Sequence, residues 1–230
     1  HDWRGNISLA DPAHPTNSTP PHNTLLVDGT GQLQEHSPLA RIDDLSPVPE
    51  IDYVVSRLVQ GYGPKLLRFD RHAYMVAKRF FVLLDDVELA APGVLTWNFH
   101  GAAGSRLEAG PPACIRAGQV CVRITPSSDL PLCAAPREDH VLPRIQWDGC
   151  EPIDAARVAW VLQPLRDGEA SPAPEVEVAA GEVRVRLEGE EWTLPVVRTR
   201  TPVPFPMTLI PDLDERLGGE WGRRLPPPAA

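Results

Sequence analysis

The hydrophobic positions of this chain alternate with polar ones far more often than they recur at helical spacing. Glu175-Val176-Glu177-Val178 and Val183-Arg184-Val185-Arg186-Leu187 alternate strictly, which puts valine and leucine on one face of a strand and charge on the other. Leu66 to Phe69, Arg71 to Ala77 and Phe80 to Glu88 are dense in β-branched and aromatic residues, with Lys78-Arg79 as a hairpin turn between the last two. Further strands are predicted over 23–28, 53–59, 94–100, 119–124, 141–147, 157–163 and 192–197, and a short apolar piece at Ile7 to Ala10 interrupts a loop-like start. No helical periodicity persists beyond two turns. Many short strands separated by short breaks predict an all-β fold, with antiparallel sheets packed face to face as a β-sandwich.

Composition sharpens that expectation. The 27 prolines oppose long helices and favour short strands with irregular connections. They thicken from Pro202 onward and end in Pro226-Pro227-Pro228, so the chain divides into a β-sandwich domain, 1–200, and a proline-rich C-terminal tail, 201–230. A formal charge of -9 argues against general nucleic-acid binding, which needs a basic face to displace counterions from phosphates. It leaves room for a local cluster, Arg68, Arg71, Lys78 and Arg79, that either holds an anionic sugar or forms a solvated strand face. The longest apolar run, Phe80 to Leu84, falls far short of the roughly 18 residues of a membrane span, so no membrane partner is expected. Cys114, Cys121, Cys133 and Cys150 lack the close spacing of a zinc knuckle or redox motif. They fit either one or two disulfides of an exported protein or buried free thiols. Asn6-Ile7-Ser8 and Asn17-Ser18-Thr19 match the glycosylation sequon, which matters only in a eukaryotic secreted protein.

The most recognisable stretch is His22-Asn23-Thr24-Leu25-Leu26-Val27-Asp28-Gly29, followed by Gly31-Gln32. It resembles the HNT-hydrophobic-V-D-G-x-G-Q motif of the heparinase II/III-like polysaccharide lyases. Other pieces agree in order: His1-Asp2-Trp3 with Asn6, the hairpin from Arg71 to Asp85, Trp97 to His100, and Trp160 to Pro164. The resemblance covers roughly residues 1–195 and implies the C-terminal β-sandwich module of such a lyase, periplasmic or secreted. These enzymes cleave uronic-acid-containing polysaccharides, heparin or heparan sulfate-like or alginate-like, by β-elimination. The resemblance also implies a partner domain absent from this sequence, an N-terminal α/α toroid carrying the catalytic tyrosine, so the isolated chain is expected to be inactive. The competing expectation is a non-catalytic carbohydrate-binding or structural sandwich.

Carried over residue by residue, the resemblance implies a structural zinc ion held by His1, Asp11 and His22. Two imidazoles and a carboxylate suit zinc, although the ten residues between Asp11 and His22 are fewer than the family's segment there. His1 stands where the family has either a zinc ligand or a catalytic acid/base. Arg71 and His100 are the substrate-binding candidates, His100 alternatively satisfying a strand end. Tyr74 is expected in the core with its hydroxyl at a sheet edge. His14, His36, His72 and His140 form no constellation.

Overall fold

Alternating side chains need a layer on each apolar face, and this chain supplies three. The computed structural model describes residue 19 and residues 22–32, 41–44, 50–138, 142–179 and 181–196. In chain order the strands are β1 (Leu25–Val27), β2 (Arg41–Asp44), β3 (Ile51–Arg57), β4 (Leu66–Val76), β5 (Phe80–Gly93), β6 (Leu95–His100), β7 (Arg106–Glu108) and β8 (Ala113–Ala117). Then come β9 (Val120–Ser127), β10 (Leu132–Arg137), β11 (Arg144–Gly149), β12 (Ile153–Arg166), β13 (Glu175–Val178), β14 (Glu182–Leu187) and β15 (Glu190–Pro195). A short 3-10 segment, Val59–Lys65, is the only helical piece among the described residues.

The central layer is an eight-stranded antiparallel sheet in the order β2-β3-β4-β5-β12-β9-β8-β7. A four-stranded sheet, β1-β6-β11-β10, covers one face, and a three-stranded sheet, β13-β14-β15, belongs to the other. The period of two in β5 shows how one strand serves both. Val87 and Leu89 enter a core with Trp97, Phe99, Trp147 and Trp160, whereas Phe80, Val82 and Leu84 enter a second core with Val183, Val185, Leu187 and Leu194. In the first core the Trp160 ring packs against Trp97, Phe99 and Trp147 at centroid separations of 5.6, 5.0 and 5.5 Å. Such a cluster buries a large apolar area in tilted and edge-on geometries that suit aromatic quadrupoles.

The antiparallel sandwich expected from the pattern is therefore present, with an additional small sheet. Several boundaries differ. The two segments expected over 66–69 and 71–77 are one strand, β4, with an irregular register between Leu66 and Arg68. Ala77 and Lys78 both take positive φ, 49° and 54°, and close the β4–β5 hairpin one residue before the expected Lys78-Arg79. Strands β2, β7, β8 and β10 were not expected, because short or edge strands carry little alternation; β10 is Leu-Cys-Ala-Ala-Pro-Arg. The Ile7 to Ala10 piece and the 201–230 tail lie outside the described residues.

Candidate functional site

The His22 to Gln32 stretch folds as a clasp between the four-stranded and eight-stranded sheets. β1 pairs with β6, Leu25 opposite Trp97 and Val27 opposite Leu95, which buries Leu25 and Val27 in the aromatic core. Asp28-Gly29 then reverses the chain. Both residues have positive φ, 50° and 70°, and Val27 and Thr30 exchange both backbone hydrogen bonds at 2.9 Å, the arrangement of a two-residue hairpin turn for which Asp-Gly is suited. Asp28 Oδ1 also accepts the Val94 N–H at 2.9 Å, fixing the turn to the β5–β6 junction. At Gly31 a Cβ would stand 2.0 Å from Thr19 Cβ, so that position has no room for a side chain. Thr19 Oγ1 in turn accepts the Gln32 N–H at 2.6 Å.

Before the strand, Asn23 is the connecting residue. Its Oδ1 accepts the His100 backbone N–H at 2.7 Å, and the His100 Nδ1 lies 3.0 Å from the same oxygen. A backbone N–H can only donate, so the Asn23 atom is an acceptor and the proton of a neutral His100 ring sits on Nδ1. The Asn23 carbonyl accepts a hydrogen bond from Arg71 Nη1 at 2.5 Å. Arg71 Nε and Nη2 form a two-pronged pair with Asp85 at 2.6 and 2.7 Å, and the Trp97 indole N–H donates to Asp85 Oδ2 at 2.9 Å. Burial alone would lower the Arg71 pKa, but the Asp85 charge and its hydrogen bonds outweigh it and hold the guanidinium above its ordinary value. Next along, Tyr62 donates to the Leu25 carbonyl at 2.7 Å and lies 3.1 Å from the Thr24 hydroxyl. Burial pushes the Tyr62 phenol up to about 12 against the opposing Thr24 hydrogen bond, so it stays a neutral donor at neutral pH.

His100 also stands at one end of a polar row. Thr96, Asn98 and His100 on β6 face Asp148, Gln146 and Arg144 on β11, on the side of the four-stranded sheet away from the aromatic core. Thr96 Oγ1 donates to Asp148 at 2.7 Å and Gln146 Nε2 reaches both Asp148 oxygens at 3.0 and 2.9 Å. Arg144 donates to Asn98 Oδ1 at 3.2 Å and to Gln146 Oε1 at 3.3 Å. Apart from His100, this row was not among the expected site residues. Its signal was the polar half of the alternation, Thr96-Asn98-His100 against Leu95-Trp97-Phe99 and Arg144-Gln146-Asp148 against Ile145-Trp147.

Of the expected site residues, the structure brings His22, Arg71 and His100 together around Asn23. His22 is exposed, and its backbone is fixed by its N–H to the Thr19 carbonyl and its carbonyl to the Thr24 N–H. His1 and Asp11 lie outside the described residues, so the zinc set is represented by His22 alone. Among the described residues no group of three or more His, Cys, Asp or Glu is placed to hold a metal. Three of the four cations of the suggested cluster, Arg68, Arg71 and Arg79, are dispersed into ion pairs. Arg68 meets Asp86 and Glu88 at 3.1 and 3.0 Å, Arg79 meets Glu188 and Glu190 at 2.5 and 2.7 Å, and Arg71 meets Asp85. Tyr74 is fully buried with its hydroxyl on the Pro195 carbonyl at 2.6 Å, as expected of a core tyrosine. His72, which formed no expected constellation, is buried 2.7 Å from the Tyr53 hydroxyl. A separate groove of about 540 Å³, lined by Asp129, Glu151 and Arg157 among others, contains none of the expected site residues.

An antiparallel sandwich whose opening strand is stitched across two sheets by this motif is the β-sandwich module of the heparinase type. Residues 10–140, more than half of the chain, match the family described as heparinase II/III-like, C-terminal, and the chain belongs to that family. Solved structures agree in fold. A heparinase III gene product superposes with a TM-score of 0.62 at 13% identity, over 77% of this chain and 30% of its own. A second heparinase III gives 0.59 at 18% identity, over 78% and 30%. A mutant heparan sulfate lyase from Pedobacter heparinus gives 0.61 at 14% identity, over 76% and 30%. The chain therefore spans about 30% of the length of these relatives. No curated protein matches it in sequence.

Proposed function

We propose that this chain is the β-sandwich portion of a polysaccharide lyase that cleaves uronic-acid-containing polysaccharides by β-elimination. The observation that carries the reading is the clasp: the family motif, His22 to Gln32, folds in full and its Asn23 bonds to His100 beside the polar row. In the reaction, the uronic carboxylate is neutralised and a base removes the C5 proton. The electron pair left behind forms the C4–C5 double bond, the C4–O bond breaks, and an acid protonates the leaving oxygen. The sandwich's candidate group toward the acidic sugar is His100, whose Nδ1 is held by Asn23 and whose Nε2 is buried, so a sugar reaches the ring only where its cover opens. Arg71 acts as a positioning residue, since its guanidinium holds Asp85 and the Asn23 carbonyl. The base and the group neutralising the carboxylate belong to the toroid. A polymeric substrate of this kind favours a periplasmic or secreted location.

The isolated chain should therefore form no unsaturated, ultraviolet-absorbing product from heparin, heparan sulfate or alginate. The longer coding frame, with a helical domain joined to it, should do so. Turnover by the isolated chain would overturn this division of labour. Sugar binding without turnover in the longer protein would favour a non-catalytic carbohydrate-binding module instead.

The same reading includes a structural zinc ion on His1, Asp11 and His22. Their donor set suits zinc, and His22 presents an exposed ring from a fixed backbone. Metal analysis of the purified chain should find close to one equivalent of zinc, lost in His22→Ala. A metal-free chain that remains folded would remove the site.

A further inference from the structure

The four cysteines fall into two neighbouring pairs of different character. Cys133 on β10 and Cys150 just beyond β11 are both exposed, with their sulfurs 3.2 Å apart. Cys133 stands opposite Asp148 in the β10–β11 ladder, and Cys150 follows two residues later, its N–H on the Pro131 carbonyl at 3.3 Å. Cys114 and Cys121 meet across the β8–β9 hairpin, where Cys121 is buried and Cys114 half-buried. Burial, then the hydrogen bond to Cys121, pushes the Cys114 thiol up to about 11.

We propose that Cys133 and Cys150 are an oxidisable dithiol that closes to a disulfide, clipping the outer strand β10 to β11, while Cys114 and Cys121 stay reduced. The sulfurs already lie within reach of a bond of about 2.05 Å, and both are open to a disulfide reagent. Exchange proceeds through a thiolate that can reach its target. In the inner pair, thiolate is scarce at Cys114 and Cys121 is shielded.

The oxidant is a small-molecule or protein disulfide. Either sulfur can donate the hydrogen bond between them and either can attack, Cys133 for one. Its thiolate cleaves the reagent's S–S bond, forming a mixed disulfide and releasing one thiol. Cys150, giving up its proton, displaces the second thiol and forms the Cys133–Cys150 bond. Two cysteine thiols are oxidised and one external disulfide is reduced to two thiols. The clip pins the end of β11 next to Asp148, the last member of the polar row.

The test uses the full chain, reduced or equilibrated with oxidised glutathione, then denatured in N-ethylmaleimide and weighed intact. The reduced protein should carry four adducts and the oxidised protein two, with peptide mapping joining Cys133 to Cys150. Cys121→Ser should keep that crosslink. Cys133→Ser should lose it and leave Cys150 as a thiol or a glutathione adduct. Four adducts after oxidation, a stable glutathione adduct on wild-type Cys133 or Cys150, or a crosslink at Cys114 or Cys121 would each overturn the proposal. The wild-type mapping decides by itself if Cys133→Ser fails to fold.

Discussion

The four-stranded and three-stranded sheets cover opposite faces of one eight-stranded sheet, and they are attached by different proportions of apolar and directed contacts. The three-stranded sheet contributes Val183, Val185, Leu187 and Leu194 to its core, all buried, with Val176, Val178 and Trp192 packed beside them, and its Pro195 carbonyl takes the Tyr74 hydroxyl. Its exposed pairs, such as Arg186 with Glu191 at 2.6 Å, lie in solvent, where ion pairs contribute little. The four-stranded sheet adds to its aromatic core a set of directed bonds through Asn23, Arg71, Asp85 and Trp97. Apolar burial tolerates substitution if volume and pattern are kept, but a directed bond requires a particular atom in a particular place. That difference explains why the recognisable motif lies in the four-stranded attachment.

Asp85→Ala should have the largest effect on this contrast. It removes the partner of a mostly buried guanidinium and strands the Trp97 N–H, so a loss of about 3–5 kcal/mol is expected. In hydrogen exchange, amides of β1 and β6 should lose protection first while those of β14 stay protected. Equal loss on both sides would mean that the attachments are one cooperative unit. Leu194→Ala should come next, at about 3 kcal/mol from lost burial and the cavity left behind. Its loss of protection should centre on β14 and β15, and urea titration of both variants gives the comparison in energy.

Tyr62→Phe should cost least, about 1–2 kcal/mol, for the bonds to Leu25 and Thr24. It adds a pH signature. The phenol ionises near its ordinary value of 10.0 when unfolded and at about 12 when folded. Its contribution is therefore fully present below pH 10 and is lost as pH rises toward 12. Thermal unfolding of Tyr62→Phe should fall less steeply than wild type over that interval. Tyr74, shifted in the same direction by burial, leaves a residual slope in both proteins. Identical slopes would remove Tyr62 from the alkaline response.

Much of this contrast could be read from the sequence, and what escaped did so for physical reasons. Strict alternation in Glu175 to Val178 and Val183 to Leu187 announced one-sided strands, and the Phe80 to Leu84 run announced a buried strand. Alternation does not say which layer a face meets, so the third sheet was not expected as a separate layer. His22, Arg71 and His100 were individually legible through the motif and its companions. Their meeting at Asn23 depends on pairings 48 and 77 residues apart in the chain, which spacing along a sequence does not encode. The ion pairs of Arg68 and Arg79 escaped for the same reason. A local run of basic residues looks like a patch until the acidic residues of other strands are brought beside it.

The clasp has a second consequence, for colloidal behaviour. β1 is an outer strand among the described residues, and an outer strand left open can template the addition of a strand from another molecule. Here the Asn23 carbonyl is taken by Arg71, the Leu25 carbonyl by Tyr62, and both backbone groups of Val27 by Thr30. Four of the outward backbone groups that an incoming strand would need are already occupied by the protein itself. The stitching that holds the small sheet in place thus also blunts its margin against aggregation.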